Sequence, residues 1–229
     1  LKMVAKYRIN NSWELSALPW LPVPDLVARH AARLSSRSVD GEMLSWSLGG
    51  YPSPNLEVMQ AFQADPHADT GRVLDRLARG RYGAAAAPLV LRAWTCFSDA
   101  MEAYPYHTGV LYYGPQQMGP ANLLYARPTG YHATMVGLPY DDLRAWRDIY
   151  PATVFADQFD KVARGWERGL ALFGGALDRM HGQDSVRGAE DLRLAQAACF
   201  SFASVADQAR FVMERDSLLA TGSEAGAES

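Results

Sequence analysis

The sequence predicts an α/β fragment in which two parallel β-strands precede a mainly α-helical region. Two segments have strand character: Lys2–Ile9 alternates loosely between apolar and polar side chains, and Gly41–Leu48 is short and largely apolar. Between them, Pro24–Ser35 carries apolar residues at helical spacing, and Pro24 suits the first turn of a helix. A strand, a helix and a second strand in this order form a crossover, so we expect the two strands to be parallel neighbours.

Two parallel strands alone cannot form a stable sheet with both faces covered. The chain also begins Leu1-Lys2-Met3, in the middle of the first predicted strand. Either helices cover these strands unusually well, or further strands precede Leu1. We expect the second, which would make this chain a fragment of a longer protein.

The remainder of the chain is predicted to be mainly helical. We divide the whole chain into three parts. Residues 1–65 hold the strands, residues 66–220 are helical, and residues 221–229 form a disordered low-complexity tail. Amphipathic patterns predict helices at Asn55–Phe62, Thr70–Arg81, Ala84–Tyr104, Thr153–Met180 and Gly188–Leu219. Residues 104–148 form a long aperiodic loop, rich in Gly, Pro and Tyr, whose aromatic content favours order over disorder.

Composition excludes several classes of partner. The chain has 229 residues and a formal net charge of -3, from 22 Lys and Arg against 25 Asp and Glu. Because no basic stripe stands out, we expect neither a nucleic acid nor an anionic membrane surface as partner. The apolar runs are too short to span a membrane.

The cysteines and histidines predict neither a disulfide framework nor a cofactor. Cys96 and Cys199 are too few for a Cys-rich zinc site, and we expect them to be buried thiols in a reducing, cytoplasmic compartment. His107 and His132 are far apart and lack flanking acids, so we predict no metal site.

The polar segment after the first strand contains the candidate catalytic residue. Asn10-Asn11-Ser12-Trp13-Glu14 follows that strand directly, and parallel α/β proteins build their active sites at the carboxyl ends of strands. Trp13 can desolvate Glu14, which suits this carboxylate to acid, base or nucleophilic work. The alternative is a surface acid or an ion-pair partner.

The second strand ends in a candidate sugar-binding segment. Trp46 offers a flat apolar face on which a pyranose ring can stack, and Tyr51 follows shortly after it. Gly49-Gly50 would let a ligand approach the backbone closely. The alternative is that Trp46 belongs to the ordinary core and that the glycines form a turn.

Together, the segments Asn10–Glu14 and Ser45–Gly50 resemble the last two βα units of a (β/α)8-barrel glycoside hydrolase. In the broad retaining clan of these enzymes, clan A, a Glu closes the seventh strand and a Trp lies at the end of the eighth. Glu14 and Trp46 match those positions, over about the first 55 residues. The later helices, with Gly80-Arg81-Tyr82-Gly83, are similar to helical regions that follow some bacterial hexosaminidase- and glucuronidase-type barrels.

This resemblance implies a truncated (β/α)8 barrel in which Glu14 is one of two catalytic carboxylates. A retaining enzyme holds the two about 5 Å apart and an inverting one roughly 6.5–9.5 Å apart. The resemblance places the second carboxylate after the fourth strand, upstream of Leu1, so we expect the fragment to be inactive alone.

The long middle segment supplies further candidate ligands for a sugar. Aromatic rings and amides that can bind hydroxyl groups are concentrated there. The predicted substrate-binding residues are Asn10, Asn11, Trp13, Trp46, Tyr51, Tyr106, His107, Tyr112, Tyr113 and Gln116. We expect Tyr104–Asn122 to lie within about 15 Å of Glu14, the usual reach of a ligand cleft. The alternative is that its tyrosines fill gaps between helices.

Two functions fit this sequence. The first is a fragment of a glycoside hydrolase-like enzyme that acts on a carbohydrate, with Glu14 as catalytic carboxylate and Trp46 as stacking platform. The second is a non-catalytic helical module that binds a carbohydrate or another protein; it would leave Glu14 without a role. Six more βα units upstream of Leu1 would decide for the enzyme.

Overall fold

A computed structural model describes residues 2–35, 37, 39–45 and 51–227, with side chains described as far as residue 221. The chain divides into two compact units. The first comprises Leu1–Ser12, Leu18–Glu102 and Arg164–Cys199, and the second comprises Trp13–Ala17, Ala103–Ala163 and Phe200–Ser229.

The described residues are mainly helical. The two strands are β1 (Val4–Tyr7) and β2 (Gly41–Leu44). The helices are α1 (Pro24–Ser35), α2 (Pro54–Ala64), α3 (Thr70–Tyr82), α4 (Ala87–Ala100), α5 (Thr108–Tyr113), α6 (Leu143–Arg147), α7 (Ala152–Leu177) and α8 (Gln183–Ala227). Short 3-10 turns occupy Met101–Ala103, Pro115–Gln117 and Gly119–Ala121.

The parallel pairing of the strands is confirmed, but the predicted α/β barrel fragment is wrong. β1 pairs with β2 in parallel, with Val4 opposite Gly41 and Tyr7 opposite Leu44. Each strand is only four residues long, and Val4 is 62% exposed. Both segments with strand-like patterns do contain a strand, but the apolar residues that form the core lie mostly on helices. The architecture is therefore helical with a small two-stranded parallel sheet among the described residues.

The two compact units do not follow the predicted boundary at residues 65 and 66, which falls inside the first unit. Helices α1 to α4 pack against one another there. Aromatic rings form much of the core of this unit: Tyr82 meets Trp94 and Phe173 edge to face, with centroids 6.0 and 5.5 Å apart, and Phe97 lies 4.8 Å from Trp166. A core shared by helices from both sides of the predicted boundary cannot be divided there.

The second unit orders the long middle segment. Residues 104–148, predicted to be a long aperiodic loop, contain α5, α6 and two 3-10 turns rather than an uninterrupted loop. Tyr104 packs edge to face on Phe159 at 5.2 Å, and Trp146 and Phe155 are fully buried. The backbone of α8 continues to Ala227, into the segment for which a disordered tail was predicted.

Both cysteines are free thiols in the first unit. Cys199 is buried, whereas Cys96 is only partly so. Burial, with a smaller contribution from Glu167, raises the pKa of Cys199 to about 11. Across the described part of the chain, no helix is both long and apolar enough to cross a bilayer.

Candidate functional site

The carboxyl ends of β1 and β2 are joined through Ser45, which lies immediately after β2. The Ser45 N–H donates to the Tyr7 carbonyl at 2.6 Å, and its hydroxyl accepts from the Ile9 N–H at 3.3 Å. Ser45 has a φ of 86°, in the left-handed region that few residues other than glycine adopt. This conformation ends the sheet after four residues, and Trp46 and Gly49-Gly50 lie outside the described residues.

Asn10 and Asn11, two of the predicted ligand-binding residues, hold the backbone after β1. They are 2% and 3% exposed. Asn10 Nδ2 donates to the Tyr51 carbonyl at 2.7 Å, and Asn11 Nδ2 donates to the Leu18 carbonyl at 2.8 Å. These contacts give both amides structural roles, because a ligand does not reach side chains so fully buried. The Tyr51 side chain, in contrast, is exposed.

Sequence reasoning missed a third buried asparagine, Asn55 in α2. Its Nδ2 donates to the carbonyls of Ile9 and Leu21 at 2.9 and 2.8 Å, and the residue is fully buried. The signal in the sequence is an Asn on a helix face between apolar residues. Residues 10–12, the first part of the polar segment, are therefore buried and held by amide hydrogen bonds, whereas Trp13 and Glu14 are half-buried.

Glu14 lies in the second unit, in a turn that the long middle segment holds in place. The Tyr104 hydroxyl donates to the Glu14 carbonyl at 3.0 Å. Gln117 Nε2 donates to the Trp13 carbonyl at 2.9 Å, and the Ser16 hydroxyl donates to Gln117 Oε1 at 2.6 Å. The Glu14 residue is half-buried. The expected approach of Tyr104–Asn122 to Glu14 is thus confirmed at hydrogen-bond distance.

An aromatic pair stands beside Glu14. The Trp13 ring meets the Tyr112 ring edge to face, with centroids 6.4 Å apart, and both side chains are half-buried. Tyr106 is 60% exposed and its ring lies 6.3 Å from that of Tyr104. Tyr113 is half-buried. We call Trp13, Glu14, Tyr112 and Gln117 the Glu14 cluster.

Gln117 belongs to this cluster and was missed, whereas its predicted neighbour Gln116 is structural. Gln116 is fully buried, and its Nε2 donates to the Val110 carbonyl at 2.5 Å. Gln116 and Gln117 are neighbours in the 3-10 turn Pro115–Gln117, and successive side chains of such a turn lie on different sides of it. Gln116 is therefore buried, whereas Gln117 is half-buried. Sequence spacing alone does not reveal which of the two faces the Glu14 turn.

His107 forms a pair with Asp148, a residue that sequence reasoning did not select. His107 Nδ1 lies 2.7 Å from Asp148 Oδ2, and both side chains are about one third exposed. Asp148 has a φ of 48°, a strained conformation that Asp tolerates better than most residues. The same Nδ1 atom lies 3.4 Å from the Gly109 N–H, so His107 also caps the first turn of α5.

Gly109 makes this histidine–aspartate pair possible. A Cβ at Gly109 would collide with the Asp148 carboxylate. The close fit of Gly109 and the positive φ of Asp148 therefore constrain the position of the Asp148 carboxylate beside His107.

A buried ion pair lies under another part of the middle segment. Arg215 Nη1 donates to Asp141 Oδ2 at 2.6 Å, and the Thr129 N–H donates to the same oxygen at 3.1 Å. Burial raises the pKa of Asp141, but hydrogen bonds from Thr129 and Arg215 outweigh burial and hold this pKa below its ordinary value. The helix cap is supplied by the neighbouring Asp142, which accepts from the Ala145 N–H at 3.2 Å at the start of α6.

Among the residues described, no three His, Cys, Asp or Glu side chains are grouped so that they could hold a metal ion.

No protein-family model, curated protein or solved structure matches the chain.

Proposed function

We propose that this chain binds a carbohydrate at the Glu14 cluster and that Glu14 takes part in glycoside hydrolysis. The observation that carries this proposal is the convergence of Tyr104, Tyr112 and Gln117 on Trp13 and Glu14, across about 90 to 104 positions of sequence. Such convergence brings the Trp13 and Tyr112 rings and the Gln117 amide to the backbone of the turn that carries Glu14.

This combination of groups suits a sugar better than other small molecules. A pyranose presents apolar C–H faces, which pack on aromatic rings, and hydroxyl groups, which bond to amides and carboxylates. Trp13 and Tyr112 supply rings, and Glu14 supplies the acceptor that a hydroxyl donor requires. Tyr106, whose side chain is 60% exposed, extends the aromatic surface of the same unit.

Glu14 is the candidate for the chemical step. It is half-buried, its carbonyl is held by Tyr104, and Trp13 before it is held by Gln117. A carboxyl group on an immobilised backbone is suited to proton transfer or nucleophilic attack at an anomeric carbon. Glycoside hydrolysis also needs a second carboxyl group, so binding is the part of the function that the cluster carries by itself.

Titration calorimetry of the full chain with neutral oligosaccharides, namely cellohexaose, chitohexaose and xylohexaose, tests the binding step. We expect one of them to bind, and Trp13→Ala to weaken this binding about tenfold or more, since stacking surfaces dominate such sites. The matched control is Tyr131→Ala in the same unit, where an exposed ring is removed away from the cluster. Equal binding by wild type and Trp13→Ala would contradict the proposed site.

The Glu14→Gln variant distinguishes a role of Glu14 in hydrolysis from a role in binding alone. In a protein that contains this chain and cleaves a glycoside, we expect this variant to lower kcat strongly while KM changes little, because Gln lacks the anion and the transferable proton. If the chain is instead a non-catalytic module, Glu14→Gln affects affinity only. Failure of every sugar to bind would favour the protein-interaction alternative.

A further inference from the structure

A cleft of about 580 Å³ opens in the first unit between α2, α3 and α8. Its volume falls within the range of small-molecule sites. Three arginines, Arg76, Arg81 and Arg187, contribute to its lining, and Glu57 is the acidic residue among the lining side chains. This lining differs in kind from the aromatic Glu14 cluster.

Two of these arginines are held by contacts within the protein. Arg81 bonds to Glu57 and, at 3.1 Å, to Asp191, and its side chain is only 16% exposed. Arg187 Nη1 donates to the Arg81 carbonyl at 3.2 Å. Because this contact already holds the Arg187 guanidinium group, its ordering would cost a ligand little affinity.

The cleft carries an excess of positive charge. Glu57 and Asp191 both bond to Arg81, so their charges are directed at that one guanidinium. Arg187 and the exposed Arg76 add further positive charge to the lining. Guanidinium groups bind carboxylates and phosphates through paired, charge-assisted hydrogen bonds.

The rest of the lining is apolar and built from small side chains. Ala61 and Ala64 of α2 face Val73 and Leu77 of α3 across the cleft, and Gly80 continues the α3 wall. A Cβ at Gly80 would meet no atom within 4 Å. A glycine weakens a helix, and no packing contact requires one at position 80. The lack of a side chain at this position does, however, leave the cleft open.

We infer that this cleft binds a small organic anion, with a carboxylate or phosphate group on Arg76 and Arg187 and an apolar body against the alanines and Leu77. The inference is independent of the carbohydrate proposal, since every residue that it uses lies in the first unit. Carboxylate and phosphate share the chemistry that guanidinium groups recognise, so the experiment distinguishes them.

The test is calorimetric titration of the full chain with three probes: benzoate, phenyl phosphate and inorganic phosphate. We expect benzoate or phenyl phosphate to bind more tightly than inorganic phosphate, because the apolar body adds buried area. Arg76→Gln should weaken binding roughly fivefold or more, as expected for loss of a charged hydrogen-bond donor. Arg72→Gln is the matched control, with the same charge change on the same helix outside the cleft, and should leave binding unchanged.

Gly80→Leu gives a second, steric test. Leucine favours helix more than glycine does, and its side chain would project into open space, so we expect folding to be retained and binding to be abolished. Gly80→Ala should fold equally well and retain most of the affinity. The inference is overturned if neither aromatic probe binds at about 10 mM, a concentration that reveals even millimolar affinity, or if Arg76→Gln and Gly80→Leu both bind like wild type.

Discussion

The Tyr104 hydroxyl donates to the backbone carbonyl of Glu14 at 3.0 Å, which joins two residues 90 positions apart in the sequence. This bond holds the turn that carries the candidate catalytic carboxylate. Tyr104 itself is 6% exposed, and its ring packs on Phe159 at 5.2 Å. The aromatic core of the second unit therefore sets the position of Glu14.

Removal of that hydroxyl should loosen the Glu14 turn without unfolding the unit. We expect Tyr104→Phe to lower the free energy of unfolding by about 1 kcal/mol, the usual net value of one hydrogen bond, and to weaken sugar binding at the Glu14 cluster. Denaturant unfolding and calorimetry measure the two effects. Tyr131→Phe, which removes the hydroxyl of an exposed ring in the same unit, is the control and should match wild type in stability.

The close fit between Gly109 and Asp148 predicts that even a methyl group is not tolerated there. Gly109→Ala should lower the free energy of unfolding by roughly 1–3 kcal/mol, the common cost of overpacking, and should displace Asp148 from His107. Denaturant unfolding and the NMR shifts of the His107 ring report these changes. Gly174→Ala is the control: its Cβ meets no atom within 4 Å, so this variant should be up to about 1 kcal/mol more stable. Equal stability of Gly109→Ala and wild type would contradict the predicted clash.

The buried pair of Asp141 and Arg215 predicts an acid-dependent stability. The pKa of Asp141 lies below its ordinary value of 3.8 in the folded protein, so its contribution is present above pH 3.8 and is lost as pH falls from there through the lowered pKa. At neutral pH, Asp141→Asn should cost roughly 3 kcal/mol, because the buried Arg215 then keeps only Asp216, whose side chain is 52% exposed, as its counterion.

A double variant distinguishes the stabilisation that the ion pair provides from the destabilisation caused when Arg215 loses Asp141. Asp141→Asn combined with Arg215→Met removes both charges and should be more stable than Asp141→Asn alone. Its stability should also fall less steeply than that of wild type below pH 3.8, as followed by thermal unfolding across pH. A double variant no more stable than the single one would show that the charge pair is not the important interaction.

Tyr82 in the first unit predicts the opposite dependence at high pH. Burial raises the pKa of Tyr82 well above its ordinary value of 10.0, and Asp191, which accepts its hydroxyl at 2.5 Å, raises it further. The resulting stability is present below pH 10 and is lost as pH rises above this value. Tyr82→Phe should cost about 1–2 kcal/mol at neutral pH and should flatten the loss of stability above pH 10. The exposed Tyr51→Phe should keep the wild-type alkaline profile.

Local patterns in the sequence were sufficient to predict the two strands and the longer helices, but not the short helices α5 and α6. The helix predicted at Pro24–Ser35 has these same bounds in the structure, and the crossover correctly predicted that β1 and β2 are parallel. Helical periodicity, capping and crossover geometry depend on neighbours along the chain, so the sequence displays them directly.

Tertiary structure decided which of these elements dominate and which side chains meet. The strand patterns suggested a barrel, but β1 and β2 end after four residues and the core is formed mainly by helices. Asn10 is buried and donates to the Tyr51 carbonyl, whereas Gln117 donates to the Trp13 carbonyl from 104 positions away in the sequence. His107 meets Asp148 across 41 positions. Contacts of this range depend on how the helices pack, and no local periodicity encodes that packing.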